Sequence, residues 1–179
     1  MSQALIIVDI QNDYFPGGKM ELVGAREAAS EAARLLRAFR ERGAPVFHIR
    51  HISTRPGATF FLPNTEGMKI HESVAPLASE TVITKHFPNG FRETRLLDVL
   101  RAANIQRLAI AGMMTHMCID ATTRAAADLG FECELAQDAC ATRDLTFGGA
   151  KVAAKDVHTA FLASLNGAFA KVLPAREII

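Results

Sequence analysis

A chain of 179 residues, 49% hydrophobic and with a formal net charge of +1, is one domain of ordinary size, long enough to close a substantial core. Its mixed charges create no field for nucleic acid or an anionic membrane surface, and no apolar run approaches the roughly 18 residues of a membrane span. Three cysteines, Cys118, Cys133 and Cys140, are odd in number and form no CxxC pair, which fits free thiols in a reducing, cytoplasmic setting better than a disulfide framework.

Short apolar runs alternate with amphipathic ones along the chain. Residues 4–9 read as a strand; the Ala4–Val8 run lacks the basic start and cleavage site of a signal peptide. The pattern then predicts a helix over 24–42, strands over 45–50 and 80–84, a helix over 94–103, and a buried strand over 107–111. A turn and a helix over about 117–129 follow, then a strand at 132–136, a helix at 147–166 and a last strand at 169–173. Gly43 and Gly130 stand where helix C-caps belong. Such alternation is the signature of a single three-layer α/β domain, here residues 1–179, with a parallel sheet of about six strands and sites at the strands' carboxyl ends. The long irregular segment 51–79, rich in Pro and Gly and carrying Phe60 and Phe61, reads as a functional loop or a contact surface.

Polar residues of complementary chemistry close three of the strands. Asp9 ends the first after four apolar residues, where a desolvated carboxylate needs a cationic or donor partner. Lys85 ends the run Thr81–Thr84, and Cys118 follows the Gly112 turn at the expected start of a helix. There, unpaired N–H groups and the helix dipole favour a thiolate and an oxyanion. Cys118 reads equally as a small buried hydrophobe, Asp9 as a turn former and Lys85 as a surface charge. Brought to one crevice, the three make a nucleophile, a base and a group that positions both.

Three blocks in order, Val8-Asp9-Ile10-Gln11-Asn12-Asp13, Lys85 with Phe91 beyond it, and Gly112-Met113-Met114-Thr115-His116-Met117-Cys118-Ile119 followed by Thr122 and Ala125, resemble the isochorismatase-like cysteine hydrolases. That group includes nicotinamidases, N-carbamoylsarcosine amidohydrolase and ureidoacrylate hydrolases, and the resemblance covers essentially the whole chain. It implies strand order 3-2-1-4-5-6, Cys118 as nucleophile, Asp9 as proton carrier and Lys85 as the third member. It also implies a cis peptide between Met113 and Met114, with the N–H groups of Met114 and Cys118 as oxyanion hole. The implied reaction is attack of Cys118 on an amide, carbamoyl or ureide carbonyl, with a thioester intermediate later hydrolysed by water. The family usually forms dimers or tetramers, so a homo-oligomer is expected, acting on a small molecule.

Nicotinamidases of this group bind a metal through Asp-x-His and a later His. The equivalent stretch here is Arg50-His51-Ile52-Ser53, so no metal and no cofactor is expected. His48 and His51, three apart on a strand, point to opposite faces, and His71 reads as a capping or packing residue. Phe15, Phe60, Phe61, Phe91, Met113 and His116 are the expected substrate contacts. Two other readings remain: vinyl-ether hydrolysis, which members commonly perform without the cysteine, and a catalytically idle binding protein on the same fold.

Overall fold

A computed structural model describes residues 2–179; Met1 of the expected domain lies outside them. Strand β1 (Gln3–Val8) is apolar from Ala4 to Val8 because both faces of that run are buried. Leu5 and Ile7 enter the core on one side of the sheet, and Ala4, Ile6 and Val8 enter it on the other, as a two-residue period requires. Helix α1 (Ala25–Glu41) covers the first side with Ala28, Ala29, Ala32, Leu35, Leu36 and Phe39, one stripe at helical spacing.

The remaining elements follow in alternation. They are β2 (Val46–His51), β3 (Thr81–Lys85), α2 (Leu96–Ala102), β4 (Arg107–Met113), α3 (Asp120–Asp128) and β5 (Glu132–Ala141). A hairpin of β6 (Leu145–Phe147) and β7 (Ala150–Val152) precedes α4 (Ala154–Leu165) and β8 (Lys171–Leu173). Leu96 and Leu100 of α2, Ala126 of α3, and Leu162 and Leu165 of α4 pack on the second side of the sheet, completing three layers. No helix among the described residues is long and apolar enough to cross a membrane.

All six strands of the main sheet run parallel in the order β3-β2-β1-β4-β5-β8. This is the expected order, with β8 as the sixth strand because the hairpin stands apart. Winding reverses between β1 and β4, which opens a crevice at their carboxyl ends. Gly112 lets the two strands meet there: its φ is +139°, and a Cβ would lie 1.9 Å from the Val8 carbonyl oxygen.

Two expectations are corrected. The helix at 147–166 begins only at Ala154, because Gly148 and Gly149, with φ of 57° and 81°, close a tight hairpin turn between two short strands. Asp144 Oδ1 then accepts the Ala154 N–H at 2.8 Å, starting the helix on the far side of the hairpin. Strand 132–136 runs on to Ala141 and takes in Cys140, with a register shift against β4 between Ile110 and Gly112.

Candidate active site

Four strand ends converge on this crevice. Asp9 leaves β1 in a left-handed conformation (φ 52°) and donates its N–H to the Ile49 carbonyl at 2.9 Å. His51 ends β2 and Lys85 ends β3. Beyond β4 the Met113–Met114 peptide is cis, and Thr115–Ile119 winds as one π-helical turn that carries Cys118 and runs directly into α3. The expected helix start at about Met117 is thus moved back to Thr115. The Met114 carbonyl accepts the N–H groups of Met117 and Ile119 at 3.0 and 3.2 Å. Side chains hold the turn from outside: Thr115 Oγ1 lies 2.9 Å from His158 Nδ1, and His116 Nδ1 bonds Thr142 Oγ1.

Asp9 and Lys85 are fully buried, and Cys118 is nearly so. Lys85 Nζ donates to Asp9 Oδ2 at 2.6 Å, to His51 Nδ1 at 3.0 Å and to the Cys118 sulfur at 3.2 Å, which uses all three of its hydrogens. His51 therefore carries its own proton on Nε2. Asp9 Oδ1 has no hydrogen-bond partner among the described residues and is the free acceptor of the cluster.

Burial dominates the electrostatics. It raises the Asp9 carboxyl above 3.8 despite the adjacent Lys85. Burial alone would favour neutral Lys85, but the charge of Asp9 and the hydrogen bonds to Asp9 and Cys118 raise its pKa. Burial, then the charge of Asp9, pushes the Cys118 thiol well up, against the expectation that helix N–H groups would make it a resting thiolate. Cys133 and Cys140 are pushed by burial to about 12. What distinguishes Cys118 is thus its partners rather than a low resting pKa. Burial and then Lys85 bring His51 down to about 3, so its imidazole is neutral.

One ligand atom each from Asp9, His51 and Cys118 lies within 4.8 Å of the others, a donor set of the kind that holds a metal. All three side chains already bond the Lys85 ammonium. A divalent ion would face that charge at close range, so the residues fit a resident ammonium and do not fit a metal.

Above the cluster lies a cavity of about 440 Å³, with Cys118 in its lining. Phe60 and Phe61 form part of its wall, together with Met114, Met117, Phe87 and Tyr14. Of the other expected contacts, Phe15 lies outside the lining, stacked on His71 with ring centroids 3.6 Å apart. Phe91 packs on Phe131, Met113 is sealed in the core, and His116 is turned toward Thr142. His71 also caps a 3-10 turn by accepting the Ser73 N–H.

The segment 51–79 is fastened to the strand ends by two buried side chains. Gln11 binds the His51 backbone on both sides (2.7 and 2.9 Å) and the Met68 carbonyl (2.8 Å). Asp13 accepts the Phe61 N–H at 2.7 Å, and Gly67 packs so closely that a Cβ would lie 2.2 Å from its carboxylate. Sequence reasoning missed Tyr14, His51 and Arg55 as cavity residues. Tyr14 lies within the polar stretch after β1 and His51 ends a strand beside Asp9 and Lys85, usable signals; Arg55 depends on how an irregular segment folds back.

The sequence profile of the isochorismatase domain matches residues 3–177. The chain belongs to the isochorismatase family. An isochorismatase-family protein of Bacillus subtilis strain 168, YddQ, is 53% identical over 172 residues, 96% of each chain. The crystal structure of an isochorismatase hydrolase from Oleispira antarctica superposes with a TM-score of 0.96 at 52% identity, covering 99% of this chain and 95% of that one. Streptothricin hydrolase of Streptomyces noursei is 37% identical over 80% of this chain and 51% of its own length. An isochorismatase-family hydrolase is thus the identity within which the cluster must be read.

Proposed function

We propose that this isochorismatase-family hydrolase cleaves a carbon–nitrogen bond, of an amide, carbamoyl or ureide type, in a small molecule through a thioester on Cys118. The observation that carries the reading is the buried trio in which one lysine binds both a carboxylate (2.6 Å) and a thiol (3.2 Å) beside a cavity. Relatives whose names state such chemistry support it. Maleamate amidohydrolase of Pseudomonas putida and ureidoacrylate amidohydrolase of Cronobacter turicensis are each 29% identical, over 72% and 68% of this chain.

The geometry supports the following steps. As the sulfur bonds to the carbonyl carbon, its proton passes to the free oxygen of Asp9. The thiolate never has to exist alone in the apolar crevice. Negative charge developing on the carbonyl oxygen is met by the N–H groups of Met114 and Cys118. The carbon–nitrogen bond breaks, Asp9 returns the proton to the departing nitrogen, and an acyl thioester remains. Water then gives a proton to Asp9 as its oxygen bonds to the acyl carbon; the carbon–sulfur bond breaks and the proton returns to sulfur. Lys85 stays charged throughout and holds carboxylate and sulfur in line.

The test is ammonia release from a panel of small amides, carbamoyl compounds and ureides, with mass spectrometry of enzyme quenched during turnover. An acyl adduct on Cys118 and loss of turnover in Cys118→Ala, with the fold retained, are expected. Undiminished turnover by Cys118→Ala would eliminate the thioester and turn attention to vinyl-ether hydrolysis.

A further inference from the structure

The turn that carries Cys118 is tied to a helix that takes no part in the cavity. His158 stands on α4, outside the cavity lining, and its Nδ1 lies 2.9 Å from the hydroxyl of Thr115, the first residue of the π-helical turn. Thr115 is fully buried. The ring has a second holder, since the backbone of Gln137 also bonds it. Gln137 lies where β5 bulges against β4, between the pairings Ile110–Leu135 and Gly112–Cys140. One imidazole thus joins α4, the bulge of β5 and the turn bearing the sulfur. Burial lowers its pKa below 6.5, against that backbone bond, so the ring rests neutral at neutral pH.

Helix α4 does not need this imidazole to be seated. Leu162 and Leu165 already bury its apolar side against the sheet, and Asp144 accepts the N–H of its first residue. What the bond fixes is the side chain of Thr115, directly after Met114. The Met114 carbonyl gathers the N–H groups of Met117 and Ile119, so a shift at Thr115 moves the residues on both sides of the sulfur. Resting on the hydrolase reading above, we propose that His158 is a positioning residue for that reaction. Through Thr115 it holds the turn so that the Cys118 sulfur stays on the Lys85 ammonium while the Met114 and Cys118 N–H groups converge on one point. Those N–H groups act chiefly on charge that develops in the transition state, and a misplacement of about 1 Å lowers rates on the order of 10²-fold. The effect of losing His158 therefore falls on kcat rather than on KM.

Paired variants test this. Thr115→Val removes the hydroxyl and Thr115→Ser keeps it. His158→Asn leaves an amide where Nδ1 stands, whereas His158→Gln is equally polar but reaches past that place. Each is assayed on the amide of the panel that the wild type hydrolyses fastest, and amide hydrogen exchange at Met117 and Ile119, followed by NMR, needs no substrate. Thr115→Val and His158→Gln should each lower kcat by about 10- to 100-fold with KM within about twofold, and should speed that exchange. Combining them should cost no more than the worse of the two, because they break one bond. Thr115→Ser and His158→Asn should return most of kcat. Retention of kcat in Thr115→Val and His158→Gln would overturn the inference and leave the hydrolase reading standing, as would losses that multiply in the double variant. Should Thr115→Val fail to fold, the Asn and Gln variants of His158 decide alone, and equal activity in the two would overturn the inference. If the wild type releases ammonia from no member of the panel, it is the hydrolase reading that fails. Exchange then judges the hold on the turn: faster exchange in His158→Gln than in His158→Asn upholds it, and equal rates overturn it.

Discussion

Strand β2 carries a histidine into each of two buried ionic clusters, one at its carboxyl end and one nearer its start, and the clusters differ in a single respect. At the far cluster, both oxygens of Glu80 are engaged. Arg40 donates to both its oxygens at 2.7 and 2.8 Å, and the Leu77 N–H and His48 Nε2 add bonds at 2.8 and 2.9 Å. Burial would raise its pKa, but these donors outweigh it and bring the carboxyl down to about 2. At the near cluster, Lys85 satisfies one oxygen of Asp9 and the other has no partner, so burial prevails and the pKa rises. A carboxylate with both oxygens engaged is a fastener, whereas one with an oxygen to spare can take a proton and give it back.

Breaking the comparison at the near cluster should have the largest effect. Asp9→Asn removes the proposed proton carrier and should cost on the order of 10³-fold in kcat. Glu80→Gln, which removes the other carboxylate, should leave kcat within about twofold. Steady-state assays of the two variants side by side decide it, and equal losses would abolish the distinction.

A second change sharpens it through pH. Asp9 must be ionised to accept the thiol proton, so kcat/KM should fall as pH drops through its raised pKa. His51, at about 3, stays neutral across that limb. Lys85→Met removes the charge that opposes the burial effect, so the acid limb should move to higher pH and the rate should drop, read from the pH profile. An acid limb that stays in place would separate Lys85 from the titration of Asp9.

The smallest effect belongs to the fastener. Glu80→Gln should lower stability by roughly 1–3 kcal/mol at neutral pH, read from denaturant or thermal unfolding. Because the folded pKa of Glu80 lies below its ordinary value of 4.5, at about 2, its contribution is complete above 4.5 and is lost as pH falls toward 2. The gap between wild type and variant should therefore close across that window.

Much of this arrangement was legible in the residues. Continuous apolar runs such as Ala4–Val8 and Leu108–Ala111 mark strands buried on both faces, and Asp9 and Lys85, at the ends of the first and third strands, mark the site side of the sheet. Periodicity failed at Leu145–Val152, where strands of three residues are too short to alternate and only the Gly148–Gly149 pair signals the hairpin. It failed also for Cys118, since a helix start implies favourable N–H groups but says nothing of the burial that keeps the thiol protonated. The cavity wall was half visible. Phe60 and Phe61 stood out as aromatic residues in a long loop, but contacts chosen by nearness in sequence, such as Met113 and His116, point elsewhere. Tethers of 40 and 48 residues' separation, through Gln11 and Asp13, decide which side chains face the substrate.

The protonated state of Cys118 has a bearing on how this protein ages. Peroxide converts thiolates, not thiols, into sulfenic acids and then into irreversibly oxidised forms. A sulfur that burial keeps protonated between turnovers, with Phe61 in the wall above it, presents an oxidant with little to react with. In the proposed reaction Cys118 becomes reactive toward carbon only in company with a substrate, so its oxidation by peroxide between turnovers should be slow.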